Sequence, residues 1–103
     1  MAHCLIVENP DMGPEQAEQV YAHLRTTGPI PPEGNRLILT GPADPGRRIV
    51  TVWDTEEARE RFHAERLAPA YAEAGLSLDR IKLTAFEVET LVAGDLTGTP
   101  LPA

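Results

Sequence analysis

The first third of the chain combines one continuous apolar run with one segment of helical spacing. Residues 2–8 (AHCLIVE) are short, apolar and end at the turn-forming pair Asn9-Pro10, which predicts a buried strand. Asp11 then offers a capping oxygen, and the helix that it begins should end near Thr27-Gly28. Its apolar residues recur at the i, i+3, i+4, i+7 spacing of one helical face: Ala17, Val20, Tyr21 and Leu24.

Two strands are predicted in the middle of the chain. Residues 29–34 (PIPPEG) cannot continue a helix, because proline lacks an amide donor and pushes the residue before it toward extended geometry. Asn35 to Thr40 and Arg48 to Asp54 then show strand composition, and the segment GPADPGR between them carries turn residues. We expect an antiparallel hairpin with a fairly long loop.

A second helix and a last strand complete the pattern. Thr55 is a suitable N-cap, and the helix should run to Ala74-Gly75. Pro69 removes a backbone hydrogen bond and crowds the carbonyl of Glu65, which predicts a kink or a break. Residues 80–92 (RIKLTAFEVETLV) alternate well enough to predict a long strand.

The element order is therefore βαββαβ, which predicts an α+β fold of the ferredoxin-like type. In this sandwich a four-stranded antiparallel sheet carries both helices on one face. We expect one domain over residues 1–92 and a flexible C-terminal tail over residues 93–103. The uncovered sheet face would expose a large apolar patch, so the pattern also predicts a homodimer formed through that face.

Charge and hydropathy exclude several partners. Sixteen acidic and nine basic side chains among 103 residues give a net charge of -7, which would repel a phosphate backbone, so nucleic acid is not an expected partner. No apolar run approaches the roughly 20 residues that span a bilayer, and the N-terminus lacks the pattern of a secretion signal. We therefore expect no membrane association and a cytoplasmic location.

The second helix carries an unusual polar row. At 100° per residue, Arg59, His63 and Arg66 share a side with the hydrophobic anchors Phe62 and Leu67. In one interpretation the row faces a cleft, where His63 is the proton carrier and Arg59 or Arg66 stabilises an oxyanion; these three are the predicted catalytic residues. In the other interpretation, the arginines extend to the surface and only the anchors are core.

The predicted substrate-binding residues are aromatic or lie on the first strand. Trp53, at a strand end, would either stack on an aromatic ligand or close the core. The hydroxyls of Tyr21 and Tyr71 would meet either a substrate or a backbone acceptor, and His3 would lie either in the cleft or at the dimer side. Phe62 completes this set, on the same side of the second helix as His63.

No cofactor or metal is predicted. The chain has one cysteine, its three histidines lie 20 and 40 residues apart, and no carboxylate and histidine pair has a convincing ligand spacing. It also lacks a glycine-rich phosphate loop after a strand, a nucleophile elbow and a CxxC pair.

The stretch TVWDTEEA (residues 51–58), followed by Phe62 and by RLAPA (residues 66–70), resembles the dimeric α+β barrel proteins, in particular the antibiotic biosynthesis monooxygenase-like group. The resemblance implies a homodimer whose two sheets close into a barrel, with a ligand cleft between sheet and helices in each subunit. Activities in that group include cofactor-free oxygenation of aromatic polyketides, haem degradation, isomerisation and cyclisation. In the haem-degrading branch the axial histidine would fall at Ala72, which cannot ligate iron.

Composition, pattern and resemblance together predict a cofactor-independent enzyme of secondary metabolism. Its substrate would be a small, hydrophobic, oxygen-rich molecule such as a polyketide, and the reaction would be an oxygenation (by a monooxygenase), a cyclisation (by a cyclase) or an isomerisation. The alternative is a non-catalytic module with the same fold, which binds a small molecule or supports assembly.

Overall fold

The computed structural model describes residues 2–94 and confirms the predicted α+β, ferredoxin-like architecture. Four antiparallel strands form one sheet in the order β2-β3-β1-β4, with the helices packed on one of its faces. In chain order the elements are β1 (Ala2–Asn9), α1 (Pro14–Thr27), β2 (Asn35–Pro42), β3 (Arg47–Trp53), α2 (Glu56–Phe62), a π-helical turn (His63–Leu67), α3 (Ala68–Glu73) and β4 (Lys82–Val88).

The register of β1 against β3 decides which side chains face the helices. His3 pairs with Trp53, and Asn9 pairs with Arg47 at the other end of the ladder. Because side chains alternate along a strand, the odd-numbered residues of β1 face the helices together with Trp53 and Arg47. Cys4 and the other even-numbered residues face the opposite side, which we call the open face.

The core lies between the helices and the sheet. Trp53 and Ala70 are fully buried, and Tyr71 is only 2% exposed. Four core side chains come from α1 and the turn before it: Met12, Ala17, Val20 and Leu24. The last three were predicted from the helical spacing, and Met12 was not. Tyr21, predicted on the same face, is half-buried at the edge of this cluster.

The predicted cap of the first helix is wrong. Gly13 is the N-cap residue, and its amide donates a hydrogen bond to Oε1 of Gln16 at 3.1 Å. The Asp11 carboxylate instead accepts a hydrogen bond from Nη1 of Arg80 at 2.9 Å. Pro14 occupies the first helical turn, as its missing amide donor favours.

Near Pro69 the second helix is divided into two α-helical pieces, α2 and α3, as expected, and a π-helical turn separates them. The helix begins as predicted, with Oγ1 of Thr55 accepting from the Ala58 amide at 3.1 Å. Over residues 63–67 the amide of Ala68 reaches back five residues to the carbonyl of His63. This wider turn precedes Pro69, whose missing donor and bulky ring are incompatible with a regular α-helical turn there.

The strand bounds differ from the prediction at the sheet edges. β2 and β3 each extend toward their connection, so the expected long loop shrinks to residues 43–46. β4 ends at Val88 rather than Val92, because no neighbouring strand pairs with residues 89–92 within the described part of the chain. The predicted C-terminal tail lies outside the described residues from position 95 onward.

Candidate functional site

A pocket opens between the helices and the covered face of the sheet. Its volume is about 70 Å³, which is room for a few water molecules. Its walls are mainly apolar and come from β1, β3, α1 and the second helix. Among the residues that line it are Val20, Leu24, Ile49, Trp53, Phe62 and Leu67.

Trp53 forms an apolar part of the pocket wall. Its Nε1 donates to Oγ1 of Thr51 at 2.8 Å, so the protein itself satisfies the only polar group of the buried indole. The ring of Phe62 lies 5.4 Å from it, centroid to centroid, at an interplanar angle of 40°. The two rings therefore pack against each other at the pocket, where sheet and helix meet.

His63 is the first residue of the π-helical turn and lies at the wall of this pocket. It also borders a second, apolar pocket that is lined by Val7, Leu67, Tyr71, Leu78, Ile81 and Leu83. Burial, and then the positive charge of Arg59, lower the pKa of His63 from 6.5 to about 4. The imidazole is therefore neutral at pH 7 and can accept a hydrogen bond.

Arg59 lies near His63 but does not line the pocket. Its side chain is only 15% exposed, and its guanidinium lies 3.5 Å from Glu56 and 3.7 Å from Glu60. Its Nε is buried and has no hydrogen-bond partner among residues 2–94. In this structure its effect on the pocket is electrostatic, exerted through His63.

Arg66 is held by the end of the first helix rather than by the pocket. Its Nη2 donates to the carbonyl of Leu24 and its Nη1 to that of Pro29, each at 2.8 Å, while its Nε reaches Oγ1 of Thr27 at 3.3 Å. The guanidinium also lies 5.3 Å from the ring centroid of Phe62. Arg66 thus satisfies backbone carbonyls at the C-terminus of α1, a role that neither interpretation of the sequence anticipated.

Both tyrosines line the pocket. Burial raises the pKa of Tyr71; the neighbouring Asn9 amide partly offsets this shift, and Tyr21 adds to it. His3 lies on the helix-covered face opposite Trp53, and its buried Nε2 has no hydrogen-bond partner in the described part of the chain. His3 is not among the residues that line the pocket.

Two polar residues near the pocket were missed in the sequence. The pattern of the chain assigned Asn9 to a turn and Arg47 to a loop. Each turns out to be the terminal residue of a strand and to point to the helix-covered face. Strand alternation would have placed both side chains on the helix-covered face, but only if the first and third predicted strands had each been extended by one residue.

The described residues contain no group of three or more histidine, cysteine, aspartate or glutamate side chains placed to hold a metal ion. Within residues 2–94, no helix combines the length and the hydrophobicity needed to cross a membrane.

Comparison with known proteins shows that several solved structures share this fold. The chain matches no protein-family model and no curated protein in sequence. Among solved structures it is similar to a Mycobacterium tuberculosis protein (TM-score 0.64, 14% identity), with 90% of this chain and 100% of that chain covered. It is also similar to a dimeric ferredoxin-like protein of unknown function from Thermobifida fusca (TM-score 0.58, 18% identity, 85% and 92% covered).

A third similar structure comes from a Deinococcus radiodurans protein classed as an antibiotic biosynthesis monooxygenase. The TM-score is 0.56 at 20% identity, with 92% of this chain and 99% of that chain covered. The resemblance seen in the sequence is therefore confirmed at the level of the fold. Because a fold hosts many chemistries, function has to be argued from the site itself.

Proposed function

We propose that the chain binds a small, hydrophobic, oxygen-containing molecule in the pocket and transforms it without a cofactor, by oxygenation, cyclisation or isomerisation. The observation that carries this proposal is a neutral histidine, His63, at the wall of an apolar pocket beside Trp53, Phe62 and Tyr71. Such a pocket, with few polar groups at defined places, is the usual form of a small-molecule site.

His63 serves as the proton acceptor in this proposal. A phenol or β-diketone must lose a proton before its carbon framework reacts with oxygen or cyclises. In the free protein His63 is a weak base with a pKa of about 4, and an oxyanion that forms beside it would raise this pKa and so let it hold the proton. Burial, with a smaller contribution from the charge of Arg59, keeps the imidazole neutral in the free protein, and Arg66 holds the end of α1 against the second helix. Tyr21 and Tyr71 supply hydroxyl groups to the same pocket.

We further propose that the functional unit is a homodimer formed through the open face. Phe86 is 52% exposed and Leu39 47% exposed, and by strand alternation both lie on that face. Exposed apolar side chains on one sheet face favour burial against a second copy of that face. The Thermobifida fusca protein of the same fold is a dimer.

The test of catalysis begins with native mass spectrometry of the purified protein, to identify a co-purified small molecule. Turnover of that compound is then measured with and without oxygen in the wild type and in His63→Gln. We expect the substitution to lower kcat by about 10²-fold or more, as for loss of a general base. His23→Gln, on the flank of α1, is the control and should leave kcat unchanged.

The results separate the two candidate functions. Oxygen-dependent turnover identifies an oxygenase, and turnover without oxygen identifies a cyclase or isomerase. Unchanged kcat in His63→Gln refutes the role of His63. A compound that binds the wild type tightly but is never converted supports the alternative, a non-catalytic binding module.

The dimer is tested by light scattering coupled to gel filtration. We expect the wild type to elute with twice the 11.2 kDa chain mass and Phe86→Lys to elute as a monomer, because a charge would have to be buried in the interface. Leu78→Lys is the matched control, since Leu78 is similarly exposed (56%) but lies in the connection before β4. A monomeric wild type would refute the proposed interface.

A further inference from the structure

The second pocket lies beside the first on the helix-covered face. The two pockets share four lining residues: Val7, His63, Leu67 and Tyr71. In the strand register, Val7 pairs with Ile49 of β3 on one side and with Leu83 of β4 on the other. Ile49 lines the first pocket and Leu83 lines the second, so the two pockets lie on opposite sides of Val7.

Three side chains of the second helix form the partition between the two pockets. His63, Leu67 and Tyr71 recur every fourth residue, which places them on one side of the helix, and all three line both pockets. Because Val7 also lines both pockets, this row of side chains lies over β1. An imidazole in this partition can contact a ligand in either pocket.

The two pockets differ in size. The first has a volume of about 70 Å³ and the second has a volume of about 170 Å³. An apolar protein cavity of about 150 Å³ is large enough to bind one benzene molecule. The second pocket can therefore hold one aromatic ring, whereas the first has room only for a small substituent of such a ring.

The second pocket has an apolar rim, and hydrogen bonds hold the segment that forms part of it. Leu78 and Leu83 are 56% and 57% exposed, so they form the rim on the solvent side. The amide of Ile81, which also lines the pocket, donates to the carbonyl of Leu78 at 3.4 Å, and Arg80 binds Asp11 at 2.9 Å. A preformed apolar pocket with few polar groups is the usual form of a small-molecule site.

An aromatic ring matches this pocket better than a protein segment does. Exposed apolar side chains around a pocket favour an apolar partner, and the volume of the pocket is that of one ring. The pocket also lies on the helix-covered face, away from the open face through which we propose that the dimer forms. At its inner wall the neutral imidazole of His63 can accept a hydrogen bond from a hydroxyl group on the ring.

We propose that the second pocket binds the aromatic ring of a phenol, whose hydroxyl group donates a hydrogen bond to His63 in the partition. This inference rests on the proposed function and specifies where its ligand lies. The ring occupies the second pocket, against Leu78, Ile81 and Leu83, and the first pocket receives a small substituent of that ring.

The test uses p-cresol and toluene, which share a methyl-substituted ring and differ in the hydroxyl group. Binding of each is measured at pH 7 by NMR titration of the full chain with ¹³C-labelled methyl groups. Methyl signals distinguish the two pockets, because Ile81 and Leu83 line only the second of them and Val20 and Leu24 line only the first.

Two substitutions and one control complete the test. Leu78→Lys places a charge at the rim of the second pocket, and His63→Leu removes the hydrogen-bond acceptor. Leu91→Lys is the matched control, because Leu91 is 51% exposed and lines neither pocket. The methyl spectrum of each variant also reports whether it is folded.

We expect p-cresol to shift the methyl signals of Ile81 and Leu83 more than those of Val20 and Leu24. It should bind the wild type about tenfold more tightly than toluene, and this preference should be lost in His63→Leu. Leu78→Lys should weaken p-cresol binding by about tenfold or more, because the ring would meet a charge, and Leu91→Lys should leave it unchanged.

Three results overturn this inference: shifts confined to the first pocket, unchanged p-cresol binding in Leu78→Lys, or a preference for p-cresol that persists in His63→Leu. None of them refutes the proposed function, whose test is turnover of the co-purified compound. Failure of both compounds to bind the wild type also overturns the inference. A monomeric Leu78→Lys would then identify the second pocket as a contact between two copies of the chain.

Discussion

The two faces of the sheet are built from the same strands but differ in where their polar groups lie. On the helix-covered face, Trp53 and Thr51 are buried and hydrogen-bonded to each other, while the buried Nε2 of His3 has no hydrogen-bond partner among residues 2–94. On the open face, the conspicuous feature is exposed apolar surface, as at Phe86. Polar groups left unsatisfied in an interior indicate a ligand, whereas apolar groups left in water indicate a protein partner.

The largest expected difference between the faces is in the free energy of unfolding. Trp53→Ala removes a fully buried ring and should lower the free energy of unfolding by about 3–5 kcal/mol, as for other buried aromatic truncations. Leu39→Ala removes a side chain that is 47% exposed on the open face, and should lower it by less than about 1 kcal/mol in the monomer. Urea denaturation at several protein concentrations measures both values.

Protein concentration distinguishes the two effects. If Leu39 lies in a dimer interface, the cost of Leu39→Ala should grow as the concentration rises, because dissociation and unfolding are then coupled. The cost of Trp53→Ala should be nearly independent of concentration. If the two substitutions lowered the free energy of unfolding by the same amount at every concentration, the two faces would not differ as described.

A change of pH should have a smaller effect on the free energy of unfolding, and this effect comes from His63, in a helix packed on the helix-covered face. The pKa of His63 is about 4 in the folded chain and about 6.5 when unfolded, so between these values the unfolded state binds more protons. The contribution of His63 to stability therefore falls as pH decreases from about 6.5 to 4. The loss is on the order of 3 kcal/mol below pH 4.

His63→Gln isolates this contribution, because the other titrating groups are common to both proteins. The difference in free energy of unfolding between wild type and His63→Gln should change with pH only in that window, in the direction that disfavours the wild type at low pH. The corresponding difference for His23→Gln serves as the control. A difference for His63→Gln that stays constant from pH 7 to pH 4 would show that its imidazole is not desolvated.

Much of the fold could be predicted from the sequence, because it depends on local patterns. The spacing of Ala17, Val20 and Leu24 located the first helix, and Thr55 located the start of the second. The π-helical turn could not be predicted, because helical periodicity assumes 100° per residue and Pro69 alone does not specify how the backbone adapts. For the same reason, helical periodicity could not decide in which direction the Arg66 side chain points.

Less of the candidate site could be predicted from the sequence, because the site depends on contacts between distant segments. Five of the predicted residues line one pocket: Trp53, Phe62, His63, Tyr71 and Tyr21. The hydrogen bonds of Arg66 to Leu24 and Pro29 join residues about forty positions apart, and no local pattern encodes them. The pairing of Asn9 with Arg47 likewise follows from strand register, which the sequence did not define at the strand ends.

The most direct test of the central claim, that a neutral, largely buried histidine forms part of the pocket wall, is the pKa of His63 measured by NMR. The histidine ring resonances of the wild type are followed from pH 8 to pH 3.5, with His63→Gln used to assign the signal. The structure predicts a midpoint near 4, with His63 neutral throughout the physiological range. A midpoint near 6.5 would place the imidazole in water and contradict the proposed site.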